Sequence, residues 1–240
     1  MQGGKSEGVI PIPLGFTTAF LLSGSRYVLV DSGSPGSAAK ILKQLASRNI
    51  DPRQVSLIVV THGHRDHTGD LELLKEKTGA PVAAHVDEVE ALRRGVNLHL
   101  KPTGLGGRLL KPLSRENKKG LPVEPDILIN KELDLKPYGV KGKIVSTPGH
   151  TPGSLSVILA GGKAIVGDLL MGGFILKRKP RYPLFAHDRK RLERSIKMIL
   201  KLKPTILYTA HGGPLNPENV ARYIMKQKDR PPRRLRNKKS

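Results

Sequence analysis

Apolar residues in this chain gather into short runs, and the spacing between them alternates between that of strands and that of helices. Three runs, at 9–14, 18–22 and 27–30, are separated by glycine-bearing turns and predict an opening antiparallel meander. From 37 to 48 the apolar positions Ala38, Ile41, Leu42 and Leu45 share one helical face. The β-branched run Leu57-Ile58-Val59-Val60 then reads as a buried strand, so a β-α-β unit follows the meander. A helix over 69–77 through Leu71 and Leu74, a strand over 81–84 and a helix to Arg94 capped by Asp87 continue the alternation.

Between 95 and 125 the periodicity gives way to glycine, proline and lysine. A long irregular stretch in a compact domain is expected to be a lid or binding loop, and this one reads as an insertion lying across a site. Strands resume at 127–129, 143–146, 155–159, 164–166 and 205–209. One helix is predicted over 188–201, and another, with Asn216 as cap and Pro217 at its first position, to about Met225.

Composition narrows the class. With 38% hydrophobic and 26% charged residues in 240, the chain is globular and long enough for one good core, so residues 1–225 are expected to form a single domain. Cysteine is absent, which excludes disulfides, thiolate nucleophiles and cysteine-held zinc together. No secretory signal and no apolar span of ~20 residues is present, so the chain is expected to be cytoplasmic with no membrane span. The formal net charge of +22 predicts attraction to anions, nucleic acid included. Much of that charge lies in 226–240, where basic residues face Asp229 alone around Pro231-Pro232. Without interleaved aromatic residues this segment reads as a disordered, solvated basic tail rather than a dedicated nucleic-acid arm.

Chemistry enters at the strand ends. The 57–60 strand runs into Thr61-His62-Gly63-His64-Arg65-Asp66-His67, where a turn at Gly63 lets His62 and His64 share one cation while Asp66 and His67 reach a second. A polar loop that merely caps a helix is the competing reading, but three histidines and an aspartate in six residues, in a chain with 8 histidines, outweigh it. Further along, the stiff turn Thr147-Pro148-Gly149-His150-Thr151-Pro152-Gly153-Ser154 presents His150. Gly167-Asp168 ends another strand with a carboxylate whose two oxygens can bridge two cations. Ala210-His211-Gly212-Gly213-Pro214 ends the last. The count fits two divalent cations: His62, His64 and His150 on one, Asp66, His67 and His211 on the other, Asp168 between. Nitrogen and oxygen donors of this kind suit zinc, with iron and manganese as alternatives. Asp31, closing the third strand, is either a turn former or a partner that orients a histidine. His85, His99 and His187 read as turn, rim or capping residues.

The motifs T-H-G-H-R-D-H, P-G-H-T-P-G-S, G-D and A-H-G-G, in this order over roughly residues 9–225, resemble the metallo-β-lactamase superfamily. The resemblance implies an α/β fold, a four-layer αβ/βα sandwich of two mixed sheets with outer helices. It also implies a dinuclear metal site with the ligand assignment just given, a metal-dependent hydrolase, and Asp31 as the residue behind one of the histidines. Lactamases that use cysteine as a ligand to the second metal cannot be matched, and Asp168 is instead similar to the bridging aspartate of glyoxalase II, lactonases and ribonuclease Z. Leu169-Leu170-Met171-Gly172-Gly173 departs from the continuation found in glyoxalase II proper.

A hydroxide bridging two metals is available at neutral pH, and Asp66 is the residue expected to orient it for attack. For a general acid the sequence offers only Tyr182 and His187, and it assigns no substrate-binding residue. The leading expectation is hydrolysis of a small carboxylic ester, thioester or lactone. Only 42 positions separate Asp168 from His211, which leaves no room for the inserted domain of the superfamily's processive nucleases. The alternatives are a phosphodiesterase or ribonuclease-like hydrolase, supported by net charge and by phosphate contacts from the basic tail, and a mononuclear iron enzyme of the persulfide dioxygenase type. Lys177, Arg178, Lys179 and Arg181 beside Tyr182 and Phe185 read equally as contacts to an anionic substrate or as a solvated face.

Overall fold

The computed structural model describes residues 8–97, 100–110, 121–173 and 178–228. The chain opens with β1 (Gly8–Pro13), β2 (Thr18–Ser23) and β3 (Tyr27–Val30), paired antiparallel. Helix α1 (Ala38–Ala46) returns the chain to β4 (Val55–Val59), parallel to β3. Helices α2 (Arg65–Thr68) and α3 (Leu71–Thr78) lead to β5 (Val82–His85), which is parallel to β4. After α4 (Val89–Arg94), β6 (Lys101–Pro102) and α5 (Leu105–Leu110), β7 (Ile127–Ile129) completes a sheet in the order β1-β2-β3-β4-β5-β7.

The second sheet begins with β8 (Glu132–Asp134), β9 (Gly142–Ser146), β10 (Leu155–Leu159) and β11 (Lys163–Ile165), all antiparallel. The chain then makes β12 (Phe185–Ala186), α6 (Arg189–Lys201), β13 (Ile206–Tyr208), parallel to β11, and α7 (Pro217–Lys228). Its order is β13-β11-β10-β9-β8, while β12 pairs separately with β6.

Alternation along the strands builds the layers. Leu29 and Ile58 face Ile41, Leu45, Leu71 and Leu74 of the helices, whereas Val28, Val30, Leu57 and Val59 face Ile144, Val157 and Ile165 of the other sheet. On the far side Leu192, Ile196 and Ile199 of α6 and Val220 and Ile224 of α7 cover Val145, Ala164 and Leu207. The described residues thus stack as helices, sheet, sheet, helices, the αβ/βα sandwich. Strands buried on both faces explain why their sequences are continuous apolar runs rather than alternating ones.

Local departures from the sequence reading have local causes. Strands β6, β8 and β12 hold two or three residues each, too few to show a period. The last helix runs past Met225 to Lys228. Asp87 does not cap α4: its backbone N–H donates to His85 Nδ1, and Glu88 occupies the cap position without a capping bond. Residues 98–99 and 111–120 of the expected insertion lie outside the described residues. Its described part pairs β6 with β12, Thr103 N–H donates to the Leu184 carbonyl at 2.9 Å, and the Asn97 side chain accepts the Arg65 N–H at 2.9 Å. His99, Lys177 and residues 229–240, most of the expected tail, lie outside the described residues. Among the described residues no helix is long and apolar enough to cross a membrane.

Phe20 ties the two sheets together: it is buried in the layer between them, with its ring 5.7 Å from that of Tyr208 on β13. Phe20→Ala is expected to cost about 3–5 kcal/mol, read by denaturant unfolding. A loss below ~1 kcal/mol would mean that other contacts hold the sheets together.

Candidate metal centre

Strands β3 and β4 run parallel, as do β11 and β13, so each pair delivers its carboxyl ends to one edge of its sheet. At the end of β3, Asp31 adopts a left-handed backbone conformation (φ 63°), which short polar side chains tolerate. Its carboxylate accepts the Thr61 N–H and the Thr61 hydroxyl, each at 2.8 Å, and meets His67 Nδ1 at 2.8 Å. The Ser32 N–H and hydroxyl both donate to the His67 carbonyl, at 2.7 and 3.0 Å. The whole 61–67 segment is therefore fastened to the end of the neighbouring strand, with His67 Nε2 turned inward.

Around that nitrogen the other side chains converge. His64 Nδ1 lies 3.0 Å from His62 Nε2 and 3.1 Å from His150 Nε2. His211 Nε2 lies 3.5 Å from Asp66 Oδ2 and 3.4 Å from Asp168 Oδ2. Asp168 also faces His150 Nε2 and His67 Nε2, each at 3.6 Å. Donor atoms of His62, His64 and His150 all fall within 4.8 Å of one another, as do those of Asp66, His67 and His211 and those of His62, His67 and Asp168. Nitrogens that share one zinc at ~2.0–2.1 Å sit a little over 3 Å apart, so the first trio has the spacing of a common cation. His67 Nε2 and Asp168 Oδ1 are buried and have no hydrogen-bond partner among the described residues. Together with the all-nitrogen and oxygen donor set, these two orphaned atoms fit a bound cation.

The outer nitrogens set the tautomers. His150 Nδ1 lies 2.9 Å from the Phe185 carbonyl and His211 Nδ1 3.0 Å from the Phe16 carbonyl. A carbonyl only accepts, so each Nδ1 carries the hydrogen and each Nε2 presents a lone pair. Burial, with the neighbouring rings adding to it, holds His62 well below its ordinary pKa and His64 down to about 3. Both are the neutral form that binds metal. Burial would lower His67 as well, but the carboxylates of Asp31, Asp66 and Asp168 hold it up to about 10. Burial opposes ionisation of Asp168, yet His211, His67 and His150 keep it well below the usual carboxylate range. Positive charge is stabilised where these groups meet.

The seven residues singled out from sequence, with Asp31 behind them, are thus neighbours in space. Three others are not part of the cluster. His85 accepts from Asp87 at Nδ1 and lies 2.9 Å from the Asn130 carbonyl at Nε2, a structural role. His187 is exposed and meets the site only through its N–H on the His150 carbonyl, at 2.8 Å. The Tyr182 hydroxyl donates to Glu193 at 2.9 Å, and burial and that carboxylate raise its pKa, so its proton is held away from the chemistry. Residues that the sequence did not flag are Phe16, Asn97 and Glu88, and Phe185, named only beside the basic loop, holds His150 instead. Phe16 and Phe185 act through backbone carbonyls, which no side-chain pattern can announce. Phe16 is also 60% exposed, with its ring 4.5 Å from the His211 ring.

A family model described as the metallo-beta-lactamase superfamily matches residues 12–211. The chain is 28% identical over 207 residues to the probable metallo-hydrolase YflN of Bacillus subtilis, covering 80% of this chain and 78% of the relative. It is 29% identical over 200 residues to the probable metallo-hydrolase MJ0888 of Methanocaldococcus jannaschii, covering 82% and 87%. The crystal structure of ST1585, an archaeal metallo-beta-lactamase superfamily protein from Sulfolobus tokodaii, superposes with a TM-score of 0.69 at 23% identity, over 95% of this chain and 88% of that one.

Because Asp31 holds His67 by hydrogen bonding and charge, Asp31→Asn should weaken one bound cation by ~10–100-fold, as loss of a ligand's outer partner does elsewhere. Competition with a chromogenic chelator measures this, and unchanged affinity would show that the Ser32 bonds to the His67 carbonyl suffice.

Proposed function

The chain belongs to the metallo-β-lactamase superfamily and is a metal-dependent hydrolase, and from that premise we propose that it cleaves a small carboxylic ester, thioester or lactone. One divalent cation is assigned to His62, His64 and His150 and a second to Asp66, His67 and His211, with Asp168 shared. Zinc suits the donors best, and iron or manganese are the alternatives. Residues 1–225 are taken as the hydrolase domain. The observation that carries the reading is the position of Asp168, within 3.6 Å of His67 and His150 and 3.4 Å of His211, in reach of both sets.

When bound, such a pair of cations lowers the pKa of water and polarises the scissile group. The chain supplies the rest. Asp66 is the more open carboxylate, its side chain 35% exposed against 10% for Asp168, and stands where it can orient the attacking water. The exposed Phe16 ring beside His211 offers an apolar wall for the organic part of a substrate, which favours a carbonyl compound over a bare phosphate.

One observation favours the second reading, a phosphodiesterase acting on nucleic acid or nucleotide. Helix α6 begins at the His150 loop, where Asp188 N–H donates to the Gly149 carbonyl at 3.0 Å, and it exposes Lys190, Arg191, Arg194 and Lys201. Its basic face therefore starts at the metal loop.

Protein purified without added metal is expected to carry two zinc ions per chain by elemental analysis and to turn over a lactone or thioester. Turnover of bis(p-nitrophenyl) phosphate alone would favour the second reading, and a single iron without hydrolysis would overturn both. Asp66→Asn is expected to lower kcat by ~10²–10⁴-fold in protein that still folds, measured on whichever substrate is active.

A further inference from the structure

A carboxyl group that touches none of the assigned ligands joins the two histidine loops. Glu88, just beyond the end of β5, is 1% exposed. Its Oε2 accepts the Gly63 N–H at 2.8 Å, and its Oε1 accepts the Gly153 N–H at 3.0 Å. Gly63 lies between His62 and His64, and Gly153 belongs to the turn that carries His150. The Thr151 side chain adds a third interaction with the same carboxyl. Burial disfavours a carboxyl unless its oxygens are paired, and here both are.

The loops are shaped around this side chain. A Cβ on Gly63 would lie 2.9 Å from Glu88 Oε2, and one on Gly153 would lie 2.7 Å from Glu88 Cγ and 2.8 Å from Oε1. Neither glycine has a positive φ in the left-handed range, so what each position requires is the space that Glu88 fills. The two loops also come from different sheets, one following β4 and the other between β9 and β10. Glu88 is a bridge across the sandwich at the level of the site.

One end of this bridge holds the 61–67 loop, which carries residues of both sets, and the other end holds the turn of His150, which belongs to one set only. His62 and His64 ride on the first loop and His150 on the second, so the cation they share needs the two loops at a fixed separation. Asp66, His67 and His211 make no use of the His150 turn, and His67 is held by Asp31. We propose that Glu88 is a positioning residue for the cation of His62, His64 and His150 alone, fixing the loop-to-loop distance that this set requires, as Asp31 fixes His67 for the other. The inference rests on the ligand assignment made under the proposed function.

The experiment withdraws zinc stepwise from the loaded full-length chain with a competing chelator. The wild type is expected to release two ions in two resolvable steps. In Glu88→Gln the amide keeps the size of the side chain but can accept at only one of its two ends, so one loop is released. One step should weaken by ~10–100-fold and the other stay unchanged. Asp31→Asn, which removes the direct hold on His67, should weaken that other step more than the one shifted by Glu88→Gln, and the double variant both. Equal weakening of both steps by Glu88→Gln would indicate general loosening and overturn the proposal, as would no change in either. A wild type that does not hold two ions would overturn the ligand assignment, and this inference with it. Should Glu88→Gln fail to fold, Gly153→Ala, which keeps the carboxyl and displaces it, is expected to weaken the same single step, and the same outcomes decide.

Discussion

The packing of one sheet on the other is the constraint from which the site follows. Neither sheet can assemble either proposed ligand set alone: His62, His64, Asp66 and His67 leave the first, whereas His150, Asp168 and His211 leave the second. The layer in which Val28, Val30, Leu57 and Val59 meet Ile144, Val157 and Ile165 therefore fixes where nitrogen and oxygen atoms from distant parts of the chain meet. Close-packed interiors resist small shifts, which is what donor atoms about 3 Å apart need. A slip of one residue in β4 would turn its inner face outward and carry the 61–67 loop with it.

On that frame the polar groups are arranged by a second rule, that buried rings must be held from behind. Each of three histidines has an outer nitrogen bound to something the fold already supplies: the Asp31 carboxylate, the Phe185 carbonyl and the Phe16 carbonyl. Rotamer freedom that would blur the cluster is thereby removed before any ion arrives. The carboxylates of Asp31, Asp66 and Asp168 then set the local field, so that His67 and His211 favour positive charge, while burial keeps His62, His64 and His150 neutral.

Much of this was legible in the sequence because ligands and strands carry side-chain signatures. The apolar runs marked the long strands, and the four motifs marked the strand ends from which all seven clustered side chains project. What escaped was carried by the backbone or by short elements. Glu88 binds two amide N–H groups, so nothing in the identity of its partners except two glycines betrays it. Phe16 and Phe185 contribute carbonyls, and β6 and β12 have two residues each. Tyr182 looked free to act as an acid because its partner Glu193 lies 11 positions away, on a helix whose orientation no periodicity specifies.

The short pairing of β6 with β12 limits how the insertion can be remodelled. His150 is held by the carbonyl of Phe185, Phe185 lies in β12, and β12 is paired to Lys101–Pro102. A redesign that exchanges the segment between α4 and β7 has to keep Val123, buried against Leu92, and Asp126, whose carboxylate accepts the Val82 N–H. One that cuts before Lys101 severs a mechanical link to an imidazole, and the grafted loop would have to rebuild that strand pair before it could offer a new specificity.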